Sequence, residues 1–478
     1  LNSILPILKW NLTFYFRQFI VGLKCLKAFT FTDIIVSLKK GENKMKKLLT
    51  LLLAVLMVLT LSACNNNADD ENGTTAKTEI TLWTYPIGGW GNEEKVNALI
   101  SKFEAANQDV KVTVEYLDYT NGDDQVNTAI EGGEAPDLIM EGPERLVANW
   151  GAKGYMVDLS DLLDDADKEE LNASVLAAST YTNGEVYEYA VCMTAHCMAV
   201  NLTKLTAACE KAGITVADVL DVDTHTWTTD GFLKAVEVLN AYDPNTTVAA
   251  LYCSGQGGDQ GTRAIVNNMY GGTFTDAAHT KYTADSAENI KALETLYATK
   301  GIKFDAAING GEEITLFRQG QLDMAFCWNI AQQLNADNAP AGKTNDGDDI
   351  LFMAFPAQVA NESKLCGGIW GFGIFNNGDD AKIAAAKKFI SYFCDGEGTA
   401  DAVAASTYFP VRNVDVTYEN GADVMAEYNK LMPMLGDYYQ VAPNWAEART
   451  AWWNMLQQVG SGTDVATAVA KFVETANK

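Results

Sequence analysis

The chain has 478 residues, with 35 Lys+Arg against 62 Asp+Glu and a formal net charge of −27. A surface this acidic repels nucleic acid and anionic lipid headgroups, which excludes the functions that need a polyanion held broadly; a pocket can still differ from the mean field. The length allows two domains with sizeable cores.

Residues 1–44 fit nothing downstream. An ordinary signal begins with its own Met, here Met45, and the stretch from Lys39 to Asn43 requires purine-rich codons of the kind found at a ribosome-binding site. Residues 1–44 therefore read as an over-extended gene start that is not made. The competing reading is a genuine amphipathic extension around Trp10, Tyr15, Phe16 and Arg17. Residues 45–63 read as a secretory signal: Met45-Lys46-Lys47 is a short basic start, Leu48 to Leu61 is almost wholly apolar, and small residues precede Cys64. The apolar run is shorter than the roughly 20 residues of a membrane span. Leu61-Ser62-Ala63-Cys64 resembles the bacterial lipobox, which implies cleavage before Cys64 and a diacylglyceryl thioether on it. The first 63 residues hold nine basic and two acidic side chains, so the 415 that follow carry 26 against 60, a net of −34.

Residues 64–78 are rich in Asn, Asp, Gly and Thr without an apolar period, the composition of a flexible tether. Glu79 to Trp83 then predicts a strand, and Tyr85 to Gly91 a loop. Asn92 caps a predicted helix with Glu93 and Glu94 in its first turn and Val96, Leu99, Ile100 and Phe103 on one face. Alternation of Val110, Val112, Val114 and Tyr116 with polar residues predicts a second strand. A short helix over Asp124–Glu131 and a buried strand over Pro136–Met140 complete a strand–helix–strand–helix–strand order, which calls for an α/β domain with a mainly parallel sheet. Ligands of such sheets sit beyond the carboxyl ends of the strands, here the loops after Trp83 and Met140. Further strands are expected over Cys197–Asn201, Ala249–Cys253, Met324–Trp328 and Leu351–Phe355, with a glycine-rich loop at Gly255–Gly261. Helices are expected over Gly231–Asn240, Ala381–Phe393 and Trp445–Val459. There is no internal repeat.

The order and spacing of several short motifs resemble the extracellular solute-binding proteins of ABC importers, in the group that includes the maltose-binding protein. Ile80-Thr81-Leu82-Trp83 is similar to the opening strand of that family. Pro136-Asp137-Leu138-Ile139, followed by Gly154 to Leu159, is similar to its second landmark. Gly320 to Ala325, Gly367 to Ile374 and Tyr408 to Arg412 match later ones. The resemblance runs from about Thr78 to the end of the chain. It implies a two-lobed α/β fold of the periplasmic-binding-protein type II, with a ligand cleft between lobes joined by hinge strands. Lobe one is then 79–192 and 353–405, and lobe two 193–352 and 406–478. It also implies a small-molecule ligand, most naturally a carbohydrate, a permease partner in the membrane, and a monomer with no nucleic acid, no cofactor and no metal.

A sugar offers apolar C–H faces and a ring of hydroxyls, which aromatic rings and planar carboxylate, amide or guanidinium groups bind respectively. Trp83, Tyr85 and Trp90 border the first loop. Glu141, Glu144 and Arg145 follow the strand ending at Met140; by the resemblance, Glu144 and Arg145 fall on an acidic–arginine pair that contacts sugar. Asp259 falls on an acidic ligand position, and Trp328 on the loop Trp of lobe two. Trp452 falls on a stacking Trp, while Trp370, Tyr408 and Arg412 stand at landmark positions. Two departures set the ligand apart from maltose: Leu456 where the family example has Arg, and Thr194 where it has a ligand-binding Glu.

Other classes find less support. Sixty carboxylates guarantee chance pairs, so a glycoside-hydrolase dyad has no signal of its own. His196, His225 and His279 are dispersed, and no serine-triad, zinc or phosphate-cradling pattern stands out. Beyond Cys64 the seven cysteines cannot all pair in one chain; scattered in apolar contexts, they read as small buried hydrophobes. A ligand-sensing lipoprotein remains open beside transport, as do a polyol, a glycerol-phosphate ester or a polyamine as ligand.

Overall fold

A computed structural model describes residues 77–478, apart from 120, 172, 256–259, 336–338 and 437. The expectations for residues 1–76, including Cys64, and for Asp259 lie outside the described residues.

The predicted opening order is present: β1 (Thr78–Thr84), α1 (Glu93–Ala106), β2 (Val110–Tyr116), α2 (Gly122–Gly132) and β3 (Leu138–Glu141). β1 pairs in parallel with β2 on one side and β3 on the other. α1 starts where its cap says it should, with the Asn92 side chain accepting the Lys95 N–H at 3.0 Å, and it buries Val96, Leu99, Ile100 and Phe103. After β3 the chain turns through Pro143–Arg145 into a π-helical stretch, Leu146–Gly151. α3 (Ala173–Ser179) leads to β4 (Tyr189–Asn201). β4 is far longer than the expected Cys197–Asn201, because all but Met193 of its residues are buried. Protein covers both faces, so no polar–apolar alternation marks its first half.

β4 is shared by two sets of strands. Its first half pairs antiparallel with β9 (Cys366–Ile374) and its second half with β7 (Met324–Trp328) and β8 (Ile350–Met353). β9 also pairs antiparallel with β3, and β10 (Phe409–Pro410) lies on the far edge of β4. A separate parallel pair, β5 (Ala249–Tyr252) and β6 (Ile302–Asp305), belongs to the middle of the chain. On one face of the first sheet Phe372 meets Trp90 and Phe389, the latter from helix Asp380–Cys394. On the other face Leu146 and Met156 lie against Gly373, where a Cβ would come within 2.4 Å of the Met156 methyl. Cys192, Cys197, Cys209, Cys253, Cys327, Cys366 and Cys394 are all buried, and burial pushes the Cys192, Cys197 and Cys253 thiols up to about 12.

Candidate ligand site at the strand ends

The carboxyl ends of the three parallel strands converge. The chain after β1 delivers Tyr85, the loop after β2 delivers Tyr119, the first turn of α2 delivers Asp123, and β3 delivers Glu141 with Glu144 and Arg145 on the following turn. The Tyr85 and Tyr119 rings stack at 5.1 Å between centroids, 26° apart. The Arg145 guanidinium lies 5.2 Å from the first ring centroid and 5.7 Å from the second. Tyr85 is fully buried, whereas Tyr119 is half exposed.

Arg145 organises the polar part. Its Nε donates to Asp123 Oδ1 at 2.7 Å and its Nη1 to Glu141 Oε1 at 3.0 Å, while Glu144 Oε1 stands 3.7 Å from Nη1. The Tyr85 hydroxyl donates to Asp123 Oδ1 at 2.5 Å. The Tyr438 hydroxyl, from a distant part of the chain, donates to Glu144 Oε2 at 2.6 Å. Burial pushes the Glu141 carboxyl up to about 7, with Arg145 opposing and Glu144 adding to the rise. Burial also works to raise Asp123, but the Arg145 guanidinium outweighs it and the carboxyl sits below its usual range. Burial would strip the proton from Arg145; Glu141, Asp123 and Glu144 hold it on more firmly than usual. The Arg449 charge also reaches Asp123. Stacked rings beside fixed planar acceptors and donors suit a polyhydroxylated ligand.

Trp370 is half-buried and stacks on the buried Tyr408 at 4.8 Å and 17°. Trp83 is partly buried on β1, opposite Ile139 of β3. Trp90 is fully buried, its indole donating to Ala402 O at 3.2 Å. Arg412 is buried and bonded to Asp167 at 2.6 Å and to the Tyr189 hydroxyl at 3.0 Å. Trp328 is fully buried, its indole donating to Gln333 at 3.0 Å. Trp452 donates to Thr262 at 2.9 Å and packs edge-on against Phe274 and Phe472. The structure thus gathers Tyr85, Glu144 and Arg145 in one cluster and Trp370 with Tyr408 in another. Trp90, Trp328 and Trp452 sit in packed surroundings with their indole N–H groups engaged, and Arg412 is buried with both terminal nitrogens bonded.

Sequence reasoning missed Tyr119, Asp123, Glu188 and Tyr438. The first two were within reach: β2 runs parallel to β1 and β3, so the rule that points to loops at strand carboxyl ends applies to its loop as well. Tyr438 and Glu188 carry no such signal. Among the described residues, no group of three or more His, Cys, Asp or Glu is placed to hold a metal ion, and no helix is long and apolar enough to cross a membrane.

A family signature described as bacterial extracellular solute-binding protein spans residues 89–395, and the chain belongs to that family. Its fold is the two-lobed type II periplasmic-binding-protein fold. It resembles the ABC substrate-binding protein Lmo0181 from Listeria monocytogenes, solved with cycloalternan, at a TM-score of 0.61 and 19% identity over 84% of this chain and 98% of that one. It also resembles the GacH receptor of Streptomyces glaucescens, solved unliganded and with acarbose, at a TM-score of 0.63 and 16% identity over 84% and 97%. An uncharacterized lipoprotein of Streptomyces antibioticus is 34% identical over 119 residues, so the match spans 25% of each chain.

Proposed function

We propose that this protein captures a sugar or oligosaccharide outside the cytoplasmic membrane and delivers it to the transmembrane subunits of an ABC importer, with no chemistry of its own. The observation that carries the reading is the convergence of stacked Tyr85 and Tyr119 with Asp123, Glu141, Glu144 and Arg145 at the ends of three parallel strands. The sugars held by the two solved relatives support it. On this reading the lobes are 79–192 with 353–405 and 193–352 with 406–478, the first junction falling inside β4. Ligand touches both lobes only in the closed form, so binding shifts the population toward closure. A diacylglyceryl group on Cys64 supplies two chains, enough for stable anchoring, and keeps the monomer near its permease.

A thermal-shift screen of the purified protein against mono-, di- and oligosaccharides, polyols, phosphate esters and amines tests this. A binder at a hundred times its dissociation constant stabilises by about 2.7 kcal/mol. A saccharide that raises the melting temperature in the parent and not in Glu144→Gln upholds the reading. A response confined to phosphate esters or simple amines leaves the fold assignment standing and removes the sugar.

A further inference from the structure

One buried carboxylate beside this site meets no hydrogen-bond donor among the described residues. Glu188 is 1% exposed, and neither of its oxygens meets a hydrogen-bond donor. A buried carboxylate without a donor is costly, so such a group calls for an explanation. Its placement points into the site. Side chains alternate along a strand, and Tyr189 turns to the far face of the first sheet, where its hydroxyl donates to Asp395. Glu188 and Ala190 therefore share the opposite face. Gly371 of β9 pairs with Ala190 on one side and Glu141 on the other, which puts Glu141 on that same face. Ala190 packs there with Ile369 and Tyr438, and Tyr438 is the residue bonded to Glu144. Glu188 responds to the charges of both Glu144 and Glu141, which with burial hold its carboxyl well above the usual range.

The local charge balance is uneven. Arg145 is committed to Asp123 and Glu141 at 2.7 and 3.0 Å. Among the described residues, Glu144 has only a phenol at 2.6 Å and a guanidinium nitrogen at 3.7 Å, and Glu188 has no hydrogen-bond donor. Resting on the reading of this cluster as the ligand site, we propose that the ligand carries a cationic nitrogen, as an amino sugar does, seated between Glu188 and Glu144. An ammonium brings three donors and a compensating charge. A neutral hydroxyl brings one donor and no charge, so it cannot hold both buried carboxyls in their ionised form. Tyr438, which donates to Glu144, belongs to the lobe-two segment of the proposed division, so opening of the cleft frees Glu144 from it.

Isothermal titration of the purified protein distinguishes the ligands. The probes are chitobiose, with two amines, cellobiose, with hydroxyls at the same positions, N,N′-diacetylchitobiose, and 1,4-diaminobutane. Chitobiose is expected to bind at least tenfold tighter than cellobiose and its diacetyl form, and Glu188→Gln to lose that preference while its unliganded melting temperature stays at or above the parent's. Glu144→Gln repeats the test should Glu188→Gln fail to fold. Equal affinity for chitobiose and cellobiose, or a preference that survives both substitutions, overturns the inference. Binding of cellobiose alone overturns it too, and leaves the sugar reading intact. Binding of 1,4-diaminobutane with no saccharide binding keeps the cationic seat and removes the sugar. Failure of every probe overturns the cationic seat.

Discussion

The strand-end cluster around Arg145 and the tryptophan-centred region around Trp328 and Trp452 were both expected to hold ligand, yet they differ in what their polar atoms do. The two indole N–H groups already donate to Gln333 and Thr262, and the rings lie edge-on among Phe317, Phe274 and Phe472. In the strand-end cluster the ring of Tyr119 is half exposed and the carboxyls outnumber their cations. A large aromatic at a family landmark is therefore no guide to whether it faces ligand or core. Residual polar capacity is the better guide, because a satisfied buried group has nothing left to offer.

Substitutions sharpen that contrast, beginning with the largest effects. Trp452→Ala removes a fully buried ring packed against Phe274 and Phe472 and is expected to cost about 3–5 kcal/mol of stability; denaturant titration reads it, and a loss under 1 kcal/mol would erase the contrast between the two regions. Arg145→Met leaves Asp123 and Glu141 buried without their cation, at an expected cost of about 3–5 kcal/mol. Unlike Trp452→Ala, its stability should recover as pH falls and the stranded carboxyls take up protons. Glu188→Gln works through pH in the unliganded parent. Its carboxyl is held above the ordinary 4.5 by burial and by Glu144 and Glu141, so the native state favours the protonated acid. That contribution is present at low pH and lost as pH rises past 4.5 toward the folded value. The melting temperature of Glu188→Gln should thus gain on the parent from pH 4.5 upward; a constant difference between them would count against the burial of a free acid. Tyr119→Ala sits at the small end for stability, about 0.5–1.5 kcal/mol for a half-exposed ring that loses its stacking on Tyr85, and should weaken ligand binding by about 0.5–1.5 kcal/mol. The same variant with unchanged affinity would move the site away from the strand ends.

Much of the frame was legible. The apolar alternation of Val110–Tyr116 and the cap at Asn92 are local signals, and both elements stand where those signals put them. The first half of β4 was not legible, since a strand covered on both faces loses its period. Glu141, Glu144 and Arg145 were singled out because they follow a recognisable strand, and Glu144 and Arg145 also because the family resemblance pointed to them. Asp123 was missed although it opens the helix that follows a strand of the same parallel set.

What the sequence determined by itself is the succession of strands and helices and the loops that close the parallel strands, because period, caps and turn residues act within a few positions of one another. Only the tertiary structure decided that Glu188 and Glu141 share one sheet face and that Tyr438 reaches Glu144. Those meetings depend on β9 pairing with β3 on one side and β4 on the other, a register set by the burial of the whole sheet rather than by any local stretch of chain.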